Sequence, residues 1–159
     1  MAPNALTPRD SFTEMTELVL PQHANALGTA FGGTVMSWID ICAAVVAQRH
    51  CGRIAVTAAI DDLQFLAPIR VGDVVRLTGR ANAAFRTSLE IEVLVEIERT
   101  PSRVRELCAD AKLTFVNVDE SGKPLPMPDL RLETDDDRAR AEAAAARRAI
   151  RLAQKKANG

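Results

Sequence analysis

From residue 33 to residue 51 apolar side chains fall on nearly every side of a helical projection: Val35, Met36, Trp38, Ile39, Ile41, Ala43, Ala44, Val45, Val46 and Ala47. So long and even an apolar stretch predicts a helix buried on most of its faces. Gly52 follows it, the residue a left-handed C-cap wants. Beyond Gly52 the period switches to two. Ile54 to Phe65 is a strand candidate, and Ala67-Pro68-Ile69-Arg70-Val71-Gly72-Asp73 is turn chemistry. Val75, Leu77, Gly79 and Ala81 alternate with Arg76, Thr78 and Arg80. Leu89, Ile91, Val93, Val95 and Ile97 oppose Ser88, Glu90, Glu92, Glu96 and Glu98. Leu107, Ala109, Ala111, Leu113 and Phe115 oppose Glu106, Asp110, Lys112 and Thr114. These are long strands with one wet face, which means an antiparallel sheet, and Thr100-Pro101-Ser102 fits a hairpin. Ser11 to Leu20 adds another strand candidate, stopped by Pro21.

One long apolar helix followed by about four long antiparallel strands predicts an α+β domain in which the sheet curls around the helix. A single sheet covers one side of such a helix. Part of its remaining apolar surface is therefore expected to meet a second copy, giving at least a dimer.

Composition divides the chain in three. Residues 1–10 carry two prolines and no periodicity and read as a loose arm; residues 11–130 form the domain; residues 131–159 are a helical extension. In the extension Thr134 is a candidate N-cap followed by Asp135, Asp136 and Asp137, while Arg147, Arg148, Arg151, Lys155 and Lys156 lie toward the far end, matching the helix dipole at both termini. It is Ala-rich without a broad apolar stripe. The expectation is an exposed, fraying helix; a solvated helix is preferred over a phosphate-binding one.

The 159 residues suffice for one domain with a real core, 47% hydrophobic and 26% charged. A net charge of −1 supplies no global field toward nucleic acid or membrane. No apolar run reaches transmembrane length, and residues 1–10 lack the apolar core of a secretory signal, so a cytoplasmic protein is expected. Cys42, Cys51 and Cys108 are odd in number and without CxxC spacing, which argues against a disulfide framework or a zinc site.

Candidate chemistry concentrates in residues 25–40. Asp40 is the one acid in the apolar helix, and burying a lone carboxylate costs several kcal/mol or more. It is either paired within the core or used for chemistry. Met36 and Ser37 before it, with Ala43, Ala44 and Ala47 after it, are read as one face whose small residues leave room above the carboxylate. Gly32-Gly33 either permits a tight turn or presents bare N–H groups at a helix N-terminus, able to polarise a carbonyl. Asn25 is a turn residue, or it holds a water or a carbonyl. His23 reads as a bystander, and His50, near the C-cap, as a complement to the helix dipole. No GxSxG elbow, P-loop, dinucleotide fingerprint or metal motif is present.

Taken together, His23-x-Asn25-x-x-Gly28-x-x-Phe31-Gly32-Gly33, Asp40, Thr57, Phe65-x-x-Pro68-x-x-Val71-Gly72-Asp73 and Arg86-Thr87-Ser88 resemble the hot-dog-fold acyl-CoA thioesterases, in the branch of bacterial broad-range and cytosolic acyl-CoA hydrolases. The resemblance runs from about Leu18 to Pro124. It implies a helix wrapped by a curved antiparallel sheet, a dimer with a continuous sheet, commonly three dimers in a hexamer, and active sites where Asn25 of one subunit faces Asp40 of the other. It implies hydrolysis of acyl-CoA, with Asp40 as general base or nucleophile and the Gly32 and Gly33 N–H groups against the thioester carbonyl. Arg86, Thr87 and Ser88 match the segment along coenzyme A, Thr57 a polar position near the acid, and Phe31 and Phe65 substrate contacts. No cofactor or metal is expected, coenzyme A being part of the substrate. Phe85, Leu27 and Thr29-Ala30 depart from the family pattern. Two other readings stay open: a hydratase or dehydratase of the same fold, which needs a His paired with the helix acid, and a non-catalytic acyl-CoA sensor, for whose usual added DNA-binding domain the arm before Ser11 leaves no room.

Overall fold

The structure, a computed structural model, describes residues 5–159. Among the described residues three α-helices, α1 (Pro8–Ser11), α2 (Gly32–Cys51) and α3 (Asp135–Asn158), and a single 3-10 turn (Pro21–His23) accompany five strands, β1 (Thr13–Leu18), β2 (Ala55–Phe65), β3 (Val74–Ala84), β4 (Ser88–Arg99) and β5 (Val104–Asn117). The strands form one antiparallel sheet in the order β1-β3-β4-β5-β2. The expected helix and strand candidates are all present, and Gly52 caps α2 at φ 69° with its N–H donating to the Gln48 carbonyl.

Alternation decides which side of the sheet faces the core. Val75, Leu77 and Ala81 of β3, Leu89 to Ile97 of β4 and Ala109 to Phe115 of β5 point their odd-numbered side chains to one face, where all are buried. That face packs on α2, which touches all five strands. The helix turns Val35, Trp38, Ile39, Cys42, Ala43, Val46, Ala47 and His50 inward. Gly79 sets the depth of this packing. A Cβ there would stand 2.8 Å from Val46 Cγ2 and 3.0 Å from Cys42 Sγ, so only glycine lets helix and sheet approach this closely.

The even-numbered face differs from the expected wet surface. Glu90 is only 2% exposed, and Lys112 and Thr114 are also buried. They are covered by α3, which lies on this face rather than fraying in solvent. Thr134 is its N-cap as expected, with a full capping box to Asp137. The helix is held by charge rather than by an apolar stripe. Arg80 of β3 pairs with Asp137. Arg147 grips Glu90 with two bonds of 2.8 and 2.9 Å, Arg140 reaches Glu92 at 2.6 Å, and Arg151 reaches Asp61 at 2.7 Å. Ala144, 1% exposed, lies against the sheet. Strand carboxylates in register with helix guanidiniums leave no apolar periodicity in the sequence.

The expected arm over residues 1–10 is bound where it is described; residues 1–4 lie outside the described residues. Leu6 bridges to Leu130, the Arg131 N–H donates to the Leu6 carbonyl at 2.8 Å, and Thr7 with Asp10 caps the short α1.

Replacing Gly79 with Ala forces the added methyl into α2. Urea unfolding of Gly79→Ala is expected to show a stability loss of about 1–3 kcal/mol, the usual cost of overpacking a core. An unchanged midpoint would mean that α2 shifts freely on the sheet.

Candidate active site

Asp40 sits at the edge of the buried face of α2, not within it. Ala43 and Ala47 are buried in the core, whereas Met36, Ser37, Asp40, Ile41 and Ala44 form the outward stripe of the helix, at most half-buried. The acid thus avoids the full penalty of burial that its neighbours suggested. Its partner is Thr57 on β2, whose Oγ1 donates to Asp40 Oδ1 at 2.7 Å. No Arg pairs with it among the described residues.

Both α2 and β2 leave apolar surface bare around this bond. Ile41 on the helix and Ile60 on the strand are exposed, and β2 is an edge strand with β5 on one side only. An apolar stripe beside an unpaired edge is surface of the kind that proteins normally cover.

The N-terminus of α2 forms the second part. Phe31 is the N-cap residue and supplies no side-chain capping bond. The first helical bond runs from the Val35 N–H to the Phe31 carbonyl, so the N–H groups of Gly32 and Gly33 precede it without a backbone acceptor. A Cβ on Gly33 would meet nothing within 4 Å, so packing inside this chain does not explain its bareness. A Cβ on Gly32 would lie 3.8 Å from the ring of Phe65. Beside these glycines is a groove of about 400 Å³ lined by Gly32, Val35, Phe65, Leu66, Pro68 and Ile69 among others. Phe31 and Phe65, about half exposed, stand at this end.

Asn25 is held by its own loop. Its Oδ1 accepts the Leu27 N–H at 2.9 Å, its Nδ2 donates to Thr29 Oγ1 at 2.9 Å, and its backbone N–H donates to the Thr29 carbonyl. Thr29, marked in the sequence only as a departure from the family pattern, is thus the partner of Asn25; an Asn in a Gly-containing loop commonly makes such a turn. No hydrogen bond joins Asn25 to Asp40 within the chain.

Arg86, Thr87 and Ser88 make the β3–β4 turn. The Phe85 N–H donates to the Ser88 carbonyl, Met127 N–H to Arg86, and Asn117 N–H to Thr87, so the turn is anchored by its backbone. The Arg86 guanidinium is exposed and has no partner among the described residues. Leu89, Phe115 and Thr57 lie in one cross-sheet row. The turn therefore begins two strand spacings, about 10 Å, from Thr57. Phe85 stacks under Arg148 of α3, 4.9 Å from its ring centroid.

Neither histidine faces Asp40. His23 accepts the Leu20 N–H on Nδ1 and sets its ring edge on Trp38. His50 is in the last turn of α2 as expected, and it is buried there, its Nε2 2.8 Å from the Pro128 carbonyl oxygen. Among the described residues no three His, Cys, Asp or Glu side chains gather into a metal site.

Residues 27–104 match the family model described as the thioesterase superfamily. Over 129 residues the chain is 40% identical to an acyl-CoA thioester hydrolase of Bacillus subtilis, covering 81% of this chain and 75% of that one. The chain belongs to the thioesterase superfamily. Its structure is similar to an apo-hexameric acyl-CoA thioesterase, with a TM-score of 0.89 and 39% identity over 94% of this chain and 96% of that one. It is similar also to the acyl-CoA hydrolase of Staphylococcus aureus solved with butyryl coenzyme A and coenzyme A, with a TM-score of 0.88 and 33% identity over 96% and 93%. Variants of that enzyme with an Asp, an Asn or a Thr changed to Ala have been solved. Those three positions have the same order and spacing as Asn25, Asp40 and Thr57. The chain spans 35% of the length of the mammalian cytosolic acyl coenzyme A thioester hydrolases it matches.

Thioester hydrolysis by this superfamily member would not draw on its thiols. Burial pushes Cys42 up to about 11, and burial with the nearby Glu106 carboxylate pushes Cys108 up to about 11. Cys51 is only half-buried, its Sγ 3.1 Å from the Arg53 carbonyl oxygen. A chromogenic disulfide at neutral pH is expected to titrate Cys51 rapidly and the other two only after unfolding. Because the folded protein holds the two buried thiols neutral, the stability they favour is complete below pH 9 and declines as pH rises toward 11. Three equally fast thiols would contradict this.

Proposed function

We propose that this chain hydrolyses acyl-CoA thioesters to a carboxylic acid and coenzyme A at a site shared by two copies. The observation that carries it is the Asp40–Thr57 bond on an outward stripe of α2. A general base must lie within hydrogen-bond reach of the water it activates, or one water away. Asp40 is two helical turns, about 10 Å, beyond Gly33, so it cannot serve a carbonyl held on the N–H groups of its own helix. A second copy on the bare face, with β2 edges paired into a continuous sheet, brings a different loop and helix N-terminus to each Asp40. Asn25 and the bare Gly33 then belong to the site of the neighbouring chain.

In this site the thioester carbonyl rests on the N–H groups of Gly32 and Gly33, one such donor being worth roughly 3 kcal/mol as charge develops on oxygen. Asp40, oriented by Thr57, takes a proton from water as it attacks, or attacks the carbonyl itself to form an anhydride that water then hydrolyses to free the acid and Asp40. The carbon–sulfur bond breaks, and coenzyme A departs as a thiolate, a better leaving group than an alkoxide because a thiol ionises at about 8.5. Asn25 orients water or carbonyl. Phe31 and Phe65 flank the acyl chain, while Arg86, with Thr87 and Ser88, takes the coenzyme A phosphates by charge-assisted bonds.

The minimum assembly is a dimer, and the hexameric relative supports three dimers together. We place the protein in the cytoplasm, without cofactor, nucleic acid or membrane as partner. No helix among the described residues is long and apolar enough to cross a membrane. The engagement of His23 and His50 elsewhere weighs against the hydratase reading. A sensor would bind acyl-CoA and leave it intact for hours.

A thiol-release screen over acyl-CoA chain lengths tests this reading. Asp40→Asn is expected to lose about 10²- to 10⁴-fold in turnover with an unchanged circular dichroism spectrum. Near-normal turnover in that variant sinks the assignment. Arg86→Ala is expected to raise KM for acyl-CoA about tenfold, the worth of a charge-assisted bond, and to leave the corresponding acyl-pantetheine unaffected. Equal losses on both substrates would take Arg86 off the phosphates.

A further inference from the structure

Thr57 and Asp61 lie four residues apart on β2, and in a regular strand they would point to the same face. Here they point to opposite faces. Thr57 meets Asp40 on α2, whereas Asp61 Oδ2 accepts Arg151 Nη1 of α3 at 2.7 Å. The cause is a bulge. Thr57 pairs with Phe115 and Ala59 with Thr114, so Ala58 is an extra residue and the alternation reverses across it. A second irregularity follows between Asp61 and Gln64 and contains Asp62 at φ 53°.

Ala59 to Asp61 is thus a short island of regular pairing with β5 between two breaks. Breaks so close together leave the register against β5 weakly set, and a one-residue slip would turn Thr57 away from Asp40. Arg151 spans the weak point. The same Nη1 that donates to Asp61 also donates to Thr114 Oγ1 at 3.1 Å, on the β5 residue paired with Ala59. One guanidinium therefore staples β2 to β5 from the face opposite the catalytic acid.

We propose that Arg151 is a positioning residue for the hydrolysis: by joining Asp61 to Thr114 it fixes the bulge at Ala58 and with it the aim of the Thr57 hydroxyl at Asp40. This rests on the catalytic reading of Asp40 given above. The Arg151–Asp61 pair is about a quarter exposed on each side, and exposed pairs add little to global stability. Its loss should register in turnover before it registers in melting.

The test compares kcat, KM and Tm for the wild type, Arg151→Ala, Arg151→Lys, Thr57→Ala, the Thr57→Ala/Arg151→Ala double variant and Asp40→Asn. Arg151→Ala is expected to lower kcat about ten- to a hundredfold, as a displaced catalytic contact does. KM should stay within about twofold. Arg151→Lys should recover much of the loss, since an ammonium can still reach Asp61. Because both residues act through one hydroxyl, the double variant should be no slower than Thr57→Ala alone. Wild-type kcat in Arg151→Ala, full activity in Thr57→Ala, or multiplying losses in the double variant would each overturn the proposal. If Asp40→Asn is slow while Arg151→Ala is not, only this proposal fails; if Asp40→Asn is itself fast, the catalytic reading fails and takes this one with it.

Discussion

The structure depends on how closely α2 can lie against the sheet. Gly79 gives up its side chain so that Val46 and Cys42 can occupy the space, and the small residues Ala43 and Ala47 continue the contact along the helix. Interiors pack at crystal-like density, so this distance is not adjustable by a methyl group. The helix position in turn decides which residues stay outside. With Val35, Ile39, Cys42 and Val46 committed to the core, the stripe through Met36, Asp40 and Ala44 lies at the boundary, where a carboxylate keeps access to water and still meets the edge strand through Thr57.

The opposite face of the sheet is organised by a different force. Glu92, Glu90 and Asp61 on the strands meet Arg140, Arg147 and Arg151 on α3 in order along the helix. Glu90 is the deepest of these and also accepts from Asn82 Nδ2 at 2.9 Å, so its buried charge is shared among three donors. A carboxylate as deep as Glu90 is costly to leave unpaired. Its pair, with the shallower ones beside it, fixes one orientation of a helix that has almost no apolar stripe to do so.

These two layers leave one edge unfinished. On β2 the backbone has a partner on one side only, and the residues beside the Asp40–Thr57 bond are apolar and bare. The helix N-terminus with its free N–H groups is too distant along α2 to share a substrate carbonyl with the acid of the same chain. The composite site proposed between two copies would resolve both facts at once: it would cover the edge and bring the acid to a different helix terminus.

Much of the fold was legible because it rests on alternation and on punctuation. The strands from Val75 to Phe115 alternate except at bulges beside Asn82 and Cys108, the second of which turns Leu107 off the apolar face; Gly52 ends the helix it follows, and Thr134 with Asp137 caps the last one; each of these regular features is local physics that a chain carries in its order of residues. The chemistry-bearing types at Asn25, Gly32, Gly33, Asp40, Thr57 and Arg86 were equally visible. Only tertiary structure decided their surroundings. It put Asp40 at a boundary rather than in a core, because the depth of α2 is set by Gly79, a residue far from it in sequence. It turned the wet face of the sheet into a buried one, because complementary charges 48 to 90 residues apart carry no periodic signal. It also placed Thr57 and Asp61 on opposite faces, because a single extra residue in the pairing with β5 reverses the parity that a sequence pattern assumes.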